Sequence, residues 1–120
     1  NHQETTLFLS TQSNIFKKSP LPVQAQFSPT SDILTSDFNK DGNIDILLLG
    51  NNDYYKLRIG KFDANYGTVL QGNGKGDFTY IPQTESGLSL KGSNIHALAI
   101  HNELMFVSYG APLETYQLLK

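Results

Sequence analysis

The sequence has no cysteine and no tryptophan in 120 residues, and its formal net charge is only −2. Without cysteine, disulfide bonds and thiolate metal sites are excluded. A chain with so little net charge, and with no run of like charges, offers no basic surface to nucleic acid or an anionic membrane, so we expect neither partner. No apolar run approaches transmembrane length and the N-terminus has no signal-peptide pattern, so membrane insertion is not expected either.

Sustained helical periodicity is also missing, and the apolar segments that are present have the length of strands. Hydrophobic residues make up 38% of the chain, which fits a folded domain or a part of one. Gly and Pro separate short runs that are rich in β-branched and aromatic residues. These runs are "TLFLS", "IDILLLG", "TVLQG", "FTYIP" and "LMFVSYG". The sequence therefore predicts an all-β fold.

An internal repeat is found when the chain is shifted by 62 residues. The shift places Thr6 on Thr68, Phe16 on Phe78, Pro20 on Pro82 and Ile33 on Ile95. After a two-residue shortening, "ILLLG" falls on "FVSYG". A fixed period is typical of repeat architectures. Four strands are predicted in one unit, near Ile33–Ser36, Ile44–Leu49, Thr68–Gln71 and Phe78–Ile81.

The run "ILLL" within the second of these strands is apolar at every position. A strand of this kind is covered on both faces, as in a β-propeller blade packed between its neighbours.

The stretch "DFNKDGNID" places an oxygen-bearing side chain at every second position. Asp37, Asn39 and Asp41 stand at positions 1, 3 and 5 of a loop that Gly42 allows to turn sharply. Asn43 would offer its backbone carbonyl, and Asp45 closes the ring at position 9. This donor set is typical of Ca²⁺, which takes six to eight oxygen ligands, more than of Mg²⁺, which keeps its waters.

An EF-hand is excluded, because position 12 is an apolar Leu48 and the flanking segments are β-like. The alternative is an Asx-rich turn that binds nothing.

The residues "DFNKDGNIDILLLG" resemble the FG-GAP repeat of integrin α-subunit propellers and of bacterial VCBS-type repeat proteins. The matching positions include the loop acids, Gly42 and Gly50. The stretch "ANYGTVLQGNGKGDFTYIPQTESGL" is similar to the bacterial cartilage-acidic-protein-like, ASPIC/UnbV-associated group. The second unit departs from the pattern, because "HNEL" stands where the first has "NKDGNID".

The resemblance implies the C-terminal part of a β-propeller with four-stranded antiparallel blades, in a secreted, periplasmic or cell-surface protein. About two repeat units would be present. They would form a partial blade over 1–30, a complete blade with the calcium loop over 31–90, and a degenerate terminal partial blade over 91–120.

Other candidate sites are weaker. Residues Gly72–Asp77, "GNGKGD", are expected to form a hairpin turn, since a phosphate loop needs Ser or Thr after Gly-Lys and a following helix. His96, His101 and Glu103 are expected at the surface and not in a metal or acid–base site. No catalytic constellation is present, so an enzyme is not expected. An aromatic cluster is interpreted either as a recognition surface or as a cap between blades, and consists of Tyr54, Tyr55, Phe62 and Tyr66.

Three functional hypotheses follow. The first is a non-catalytic calcium-binding structural and interaction module with a protein or glycan partner. The second is an accessory part of an extracellular glycan-active enzyme, and the third is a metal-free soluble β-domain. Two units cannot close a ring, so open strand edges predict self-association, with a compact sandwich-like body as the alternative.

Overall fold

The computed structural model of the chain describes residues 4–26, 30–50, 67–90, 94–108 and 110–118. The predicted aromatic cluster of Tyr54, Tyr55, Phe62 and Tyr66 lies outside the described residues. Within the described part no helix is long and apolar enough to cross a membrane.

The described residues form nine strands in three antiparallel sheets, together with a one-turn 3₁₀-helix, Val23–Gln26, and a one-turn α-helix, Gln83–Ser86. The all-β prediction is confirmed. Sheet 1 has the order β1-β2, sheet 2 the order β3-β4-β5-β6, and sheet 3 the order β7-β8-β9. The strands are β1 Leu7–Ser10, β2 Phe16–Ser19, β3 Asp32–Ser36, β4 Asp45–Leu49, β5 Thr68–Gly72, β6 Phe78–Ile81, β7 Asn94–Ile100, β8 Glu103–Ser108 and β9 Glu114–Gln117.

The four strands predicted for one unit are the four strands of sheet 2. Each predicted boundary lies within one residue of the observed one. The largest departures are β3, which begins at Asp32, β4, which begins at Asp45, and β5, which extends to Gly72.

The internal repeat extends to the pairing of the strands. Sheet 1 pairs Leu7 with Ser19, and sheet 2 pairs Val69 with Ile81, so both partners are displaced by 62 residues. Leu34 pairs with Leu47 in sheet 2, while His96 pairs with Val107 in sheet 3. Here the displacements are 62 and 60, which matches the two-residue shortening between the units. The repeat is therefore structural, with β1 and β2 equivalent to β5 and β6, and β7 and β8 equivalent to β3 and β4.

Both faces of sheet 2 are buried, as the run "ILLL" predicts. All five residues of β4 are buried. One face packs toward sheet 3 in a cluster of Leu47, Leu49, Val69, Leu88, Leu90, Leu104 and Phe106. The other face packs toward sheet 1 in a cluster of Ile46, Leu48, Leu70 and Ala25, with Leu7 and Leu21 against it. Full burial of one such side chain contributes about 1.5–3 kcal/mol, so these two layers hold the sheets together.

An aromatic pair reinforces the contact with sheet 3. Phe106 has no exposed surface, and its ring meets that of Tyr116 edge-to-face at a centroid distance of 5.6 Å. The arrangement is one that aromatic quadrupoles favour. It fixes β8 to β9 beneath the face of sheet 2.

Candidate metal-binding loop between β3 and β4

The loop that connects β3 to β4 turns through two left-handed residues. Lys40 has φ 61° and Gly42 has φ 88°. No atom lies within 4 Å of the position that a Cβ on Gly42 would take. Glycine is therefore needed there for its backbone conformation and not for lack of space.

Three of the predicted ligands meet through the backbone of this loop. The N–H of Asp41 donates to Asp37 Oδ1 at 3.0 Å and to Asn39 Oδ1 at 3.1 Å. Because both oxygens lie close to one nitrogen, they lie close to each other. Gly42 N donates to the second oxygen of Asp37 at 2.8 Å. The side chains at positions 1 and 3 of the loop thus turn inward onto position 5.

Asp41 is the most connected residue of the loop. Its Oδ1 accepts from Asn43 N at 2.8 Å, and its Oδ2 accepts from Asn39 Nδ2 at 3.0 Å and from Gln71 Nε2 at 3.2 Å. The N–H of Asn43, followed by the side-chain amides of Asn39 and Gln71, holds the pKa of Asp41 below its ordinary value of 3.8. Asp41 is therefore an anion at neutral pH, as a metal ligand must be.

Asp45 lies at the base of the loop and is only 2% exposed. Its Oδ1 accepts from Gly72 N at 3.0 Å, and its Oδ2 accepts from Phe38 N at 3.0 Å. Both hydrogen bonds go to backbone groups that would otherwise be unpaired. The fourth predicted ligand therefore fastens the start of the loop to the end of β5.

Asn43 contacts the neighbouring hairpin. Its side-chain oxygen lies 2.5 Å from the position that a Cβ on Gly74 would take. This leaves room for the loop beside the β5–β6 turn only because residue 74 has no side chain. The backbone carbonyl of Asn43, the predicted fifth ligand, has no assigned contact.

The structure thus brings together Asp37, Asn39 and Asp41, and places Asp45 beneath them. Over the described residues no group of three or more His, Cys, Asp and Glu side chains is close enough to hold a metal. The loop oxygens are engaged by N–H groups, yet a carboxylate has about four acceptor positions and can take a further partner.

Sequence reasoning missed two residues of this arrangement, Gln71 and Gly72. Both lie at the end of β5, and the antiparallel β4–β5 pairing brings them to the loop. Gln71 is the only long polar side chain in the strand "TVLQG", which was the available signal.

The hairpin prediction for Gly72–Asp77 is confirmed. The segment joins β5 to β6, and the Asn73 side-chain oxygen closes the turn by accepting from Lys75 N at 2.8 Å and Asp77 N at 3.2 Å. A strand follows the turn, so the segment lacks the helix that a phosphate loop requires.

The two histidines and Glu103 are surface residues, as expected. The His96 side chain is 70% exposed, with its Nδ1 3.6 Å from Asp32 Oδ2. His101 and Glu103 are exposed at the β7–β8 turn.

A cleft of about 650 Å³ runs between sheets 2 and 3. Its walls are mainly apolar and include Leu47, Val69 and Leu104. Asn39 and Asp45 also line it, so an occupant of the cleft would contact the inner side of the loop.

A comparison of the chain with protein-family models, with curated proteins and with solved structures found no match. The FG-GAP resemblance therefore rests on the residues of the sequence, and the assignment of a function rests on the geometry of the loop.

Proposed function

We propose that this chain is a non-catalytic, calcium-binding structural module of an FG-GAP-type repeat protein located outside the cytoplasm. The observation that carries the proposal is the convergence of Asp37 and Asn39 oxygens on the N–H of Asp41, within an exposed loop of the predicted spacing. Mixed carboxylate and amide oxygens suit a hard cation with flexible coordination.

Calcium would be held by the side chains of Asp37, Asn39, Asp41 and Asp45 and by the carbonyl of Asn43. The ion would supply positive charge that offsets the repulsion between the carboxylates. The chain's own residues already turn the loop into shape, since Asp37 accepts from two successive N–H groups, those of Asp41 and Gly42. The cost of ordering the loop on binding is correspondingly small.

The proposed architecture is a row of propeller-type blades. Three features support it, namely four antiparallel strands in sequence order, cover on both faces of sheet 2, and a pairing register that repeats along the chain. Sheet 2 would be the complete blade, and sheets 1 and 3 the partial ones. A rigid blade with a fixed loop is suited to present a binding surface to a protein or glycan partner.

Titration calorimetry on the metal-stripped chain tests the proposal. We expect heat of binding with Ca²⁺ and much weaker binding of Mg²⁺. Asp41→Ala should weaken Ca²⁺ binding most, because Asp41 is the central acid and contacts Asn39, Asn43 and Gln71. Asp77→Ala is the matched control, since Asp77 is an acid of the adjacent β5–β6 turn outside the loop. The absence of heat with either ion, or a preference for Mg²⁺, would contradict the proposal.

The second candidate is a metal-free loop. It is favoured by the fact that the side-chain oxygens of Asp37, Asp41 and Asp45 all have N–H partners. Thermal melting separates the two, because an ion that binds only the folded loop adds about 2.7 kcal/mol at a free concentration one hundred times its Kd. A melting temperature that does not change when Ca²⁺ replaces chelator would favour the metal-free loop.

A further inference from the structure

Each sheet has two faces that the register repeat makes equivalent from one sheet to the next. On sheet 2 we name the face toward sheet 1 the front and the face toward sheet 3 the back. Because alternate residues of a strand point to opposite faces, the pairings assign the remaining residues. The front of sheet 1 carries Phe8, Ser10, Phe16 and Lys18, and the back of sheet 3 carries His96, Leu98, Ile100, Glu103, Met105, Val107 and Thr115.

Both contacts between sheets follow the same back-to-front rule. The back of sheet 1 contributes Leu7 to the cluster on the front of sheet 2, and Leu9 lies against Gly76 of the β5–β6 turn. Ser19, also on the back of sheet 1, donates to the Gly76 carbonyl at 3.3 Å. The back of sheet 2 then packs on the front of sheet 3, through residues such as Leu47 and Phe106.

The two outermost faces of this stack are apolar and exposed. On the front of sheet 1, Phe8 is 61% and Phe16 is 66% exposed. On the back of sheet 3, Leu98 is 55% and Val107 is 49% exposed. The expectation that both Ile46–Leu49 and Met105–Val107 need cover on both faces is thus met for β4 alone. Adjacent exposed apolar side chains mark association surfaces.

The exposed residues have buried equivalents inside the stack. Phe8 is displaced by 62 residues from Leu70, and Val107 by 60 residues from Leu47, in the strands that share its pairing register. Leu70 and Leu47 are both 0% exposed. One end of the stack therefore presents the kind of surface that the other end is built to cover.

We propose that a second copy of this chain docks on the first in the same back-to-front manner, with the front of sheet 1 in one copy covering the back of sheet 3 in the other. The contact would continue the two interfaces already present within the chain. It joins different surfaces on the two partners, so it is heterologous, and its repetition gives a ring or an open filament. The contact uses the faces of the sheets, whereas the sequence led us to expect association through strand edges.

Light scattering on the 120-residue chain over a concentration series tests the proposal. We expect the mass to rise with concentration above that of one copy. Phe16→Glu on the front of sheet 1 and Val107→Glu on the back of sheet 3 should each leave only the monomer, because each places a charge in the contact. Ile33→Glu is the matched control. Ile33 is 56% exposed on an edge strand of the middle sheet, so this variant should associate as the unchanged chain does.

An equimolar mixture of the two glutamate variants decides the geometry. Phe16→Glu keeps an intact back face and Val107→Glu keeps an intact front face, so the mixture should form a dimer that neither variant forms alone. Circular dichroism checks that each variant is folded, and Phe16→Ser and Val107→Ser replace any that is not. A monomer at every concentration, association that survives the single variants, or a mixture that remains monomeric would each overturn the proposal.

Discussion

The buried carboxylate of Asp45 accepts a hydrogen bond from the backbone N–H of Gly72 at 3.0 Å, across 27 residues of sequence. Its other oxygen accepts from Phe38 N at 3.0 Å. Asp45 thereby ties three segments together, namely the start of the loop, the first residue of β4 and the last residue of β5. The residue proposed as a calcium ligand is also part of the framework of sheet 2.

Asp45→Asn is therefore expected to destabilise the fold even when no metal is present. The amide keeps one acceptor oxygen and turns an NH₂ group toward the second backbone N–H, which leaves a buried donor without a partner. Such a loss costs about 1–3 kcal/mol. Urea unfolding in the presence of a chelator measures it.

The control for this variant is Asp77→Asn, because Asp77 accepts from Asn73 Nδ2 in an exposed turn. Its free energy of unfolding should change by less than about 0.5 kcal/mol. Equal effects of the two substitutions would show that Asp45 has no special structural role.

Gly72→Ala should also destabilise sheet 2, for a steric reason. A Cβ at this position would overlap the backbone carbonyl of Ile44, which cannot move without disturbing the loop. Overpacking of this kind costs about 1–3 kcal/mol or more. Gly87→Ala separates this effect from backbone strain, since Gly87 has φ 73° and open space around its Cβ position. In urea unfolding, a larger loss for Gly87→Ala than for Gly72→Ala would contradict the steric argument.

The strands of sheet 2 could be predicted from the sequence because local patterns specify them. The run Ile46–Leu49 is apolar at every position, and this pattern predicts a strand with two covered faces. The repeat at 62 residues could also be read directly, since Phe16 and Phe78 occupy equivalent pairing positions in β2 and β6.

The arrangement around the loop could be predicted only in part. The spacing of Asp37, Asn39 and Asp41 correctly indicated side chains that turn inward on one loop. The burial of Asp45 and its hydrogen bond to Gly72 could not be read from the sequence, because they depend on the β4–β5 pairing between distant segments. The same pairing brings Gln71 to Asp41.

Phe106→Ala should be among the most destabilising single substitutions in the described core. The side chain is 0% exposed, packs beneath sheet 2 and loses its edge-to-face contact with Tyr116. Truncation of a buried Phe costs about 3–5 kcal/mol, because a cavity is left.

Phe8→Ala provides the comparison, because Phe8 is 61% exposed on the front of sheet 1. At a protein concentration low enough to exclude association, its free energy of unfolding should change by less than about 1 kcal/mol. Similar losses in thermal or urea unfolding for the two Phe variants would argue against the assigned packing of sheet 3.

Calcium should slow hydrogen exchange at a defined set of backbone amides. The N–H groups of Asp41, Gly42 and Asn43 donate to the carboxylates of Asp37 and Asp41, so an ion that fixes these carboxylates also fixes the amides. At free Ca²⁺ one hundred times Kd, exchange through local opening of the loop should slow by about 100-fold, the ratio that corresponds to 2.7 kcal/mol. The reference is Thr11, whose N–H donates to the Ile15 carbonyl in the turn of sheet 1, far along the chain from the loop. Exchange at Thr11 should be unchanged. Protection that rises equally at Thr11 and in the loop would indicate a general effect of the ion, and no change in the loop would indicate that its hydrogen bonds hold it without metal.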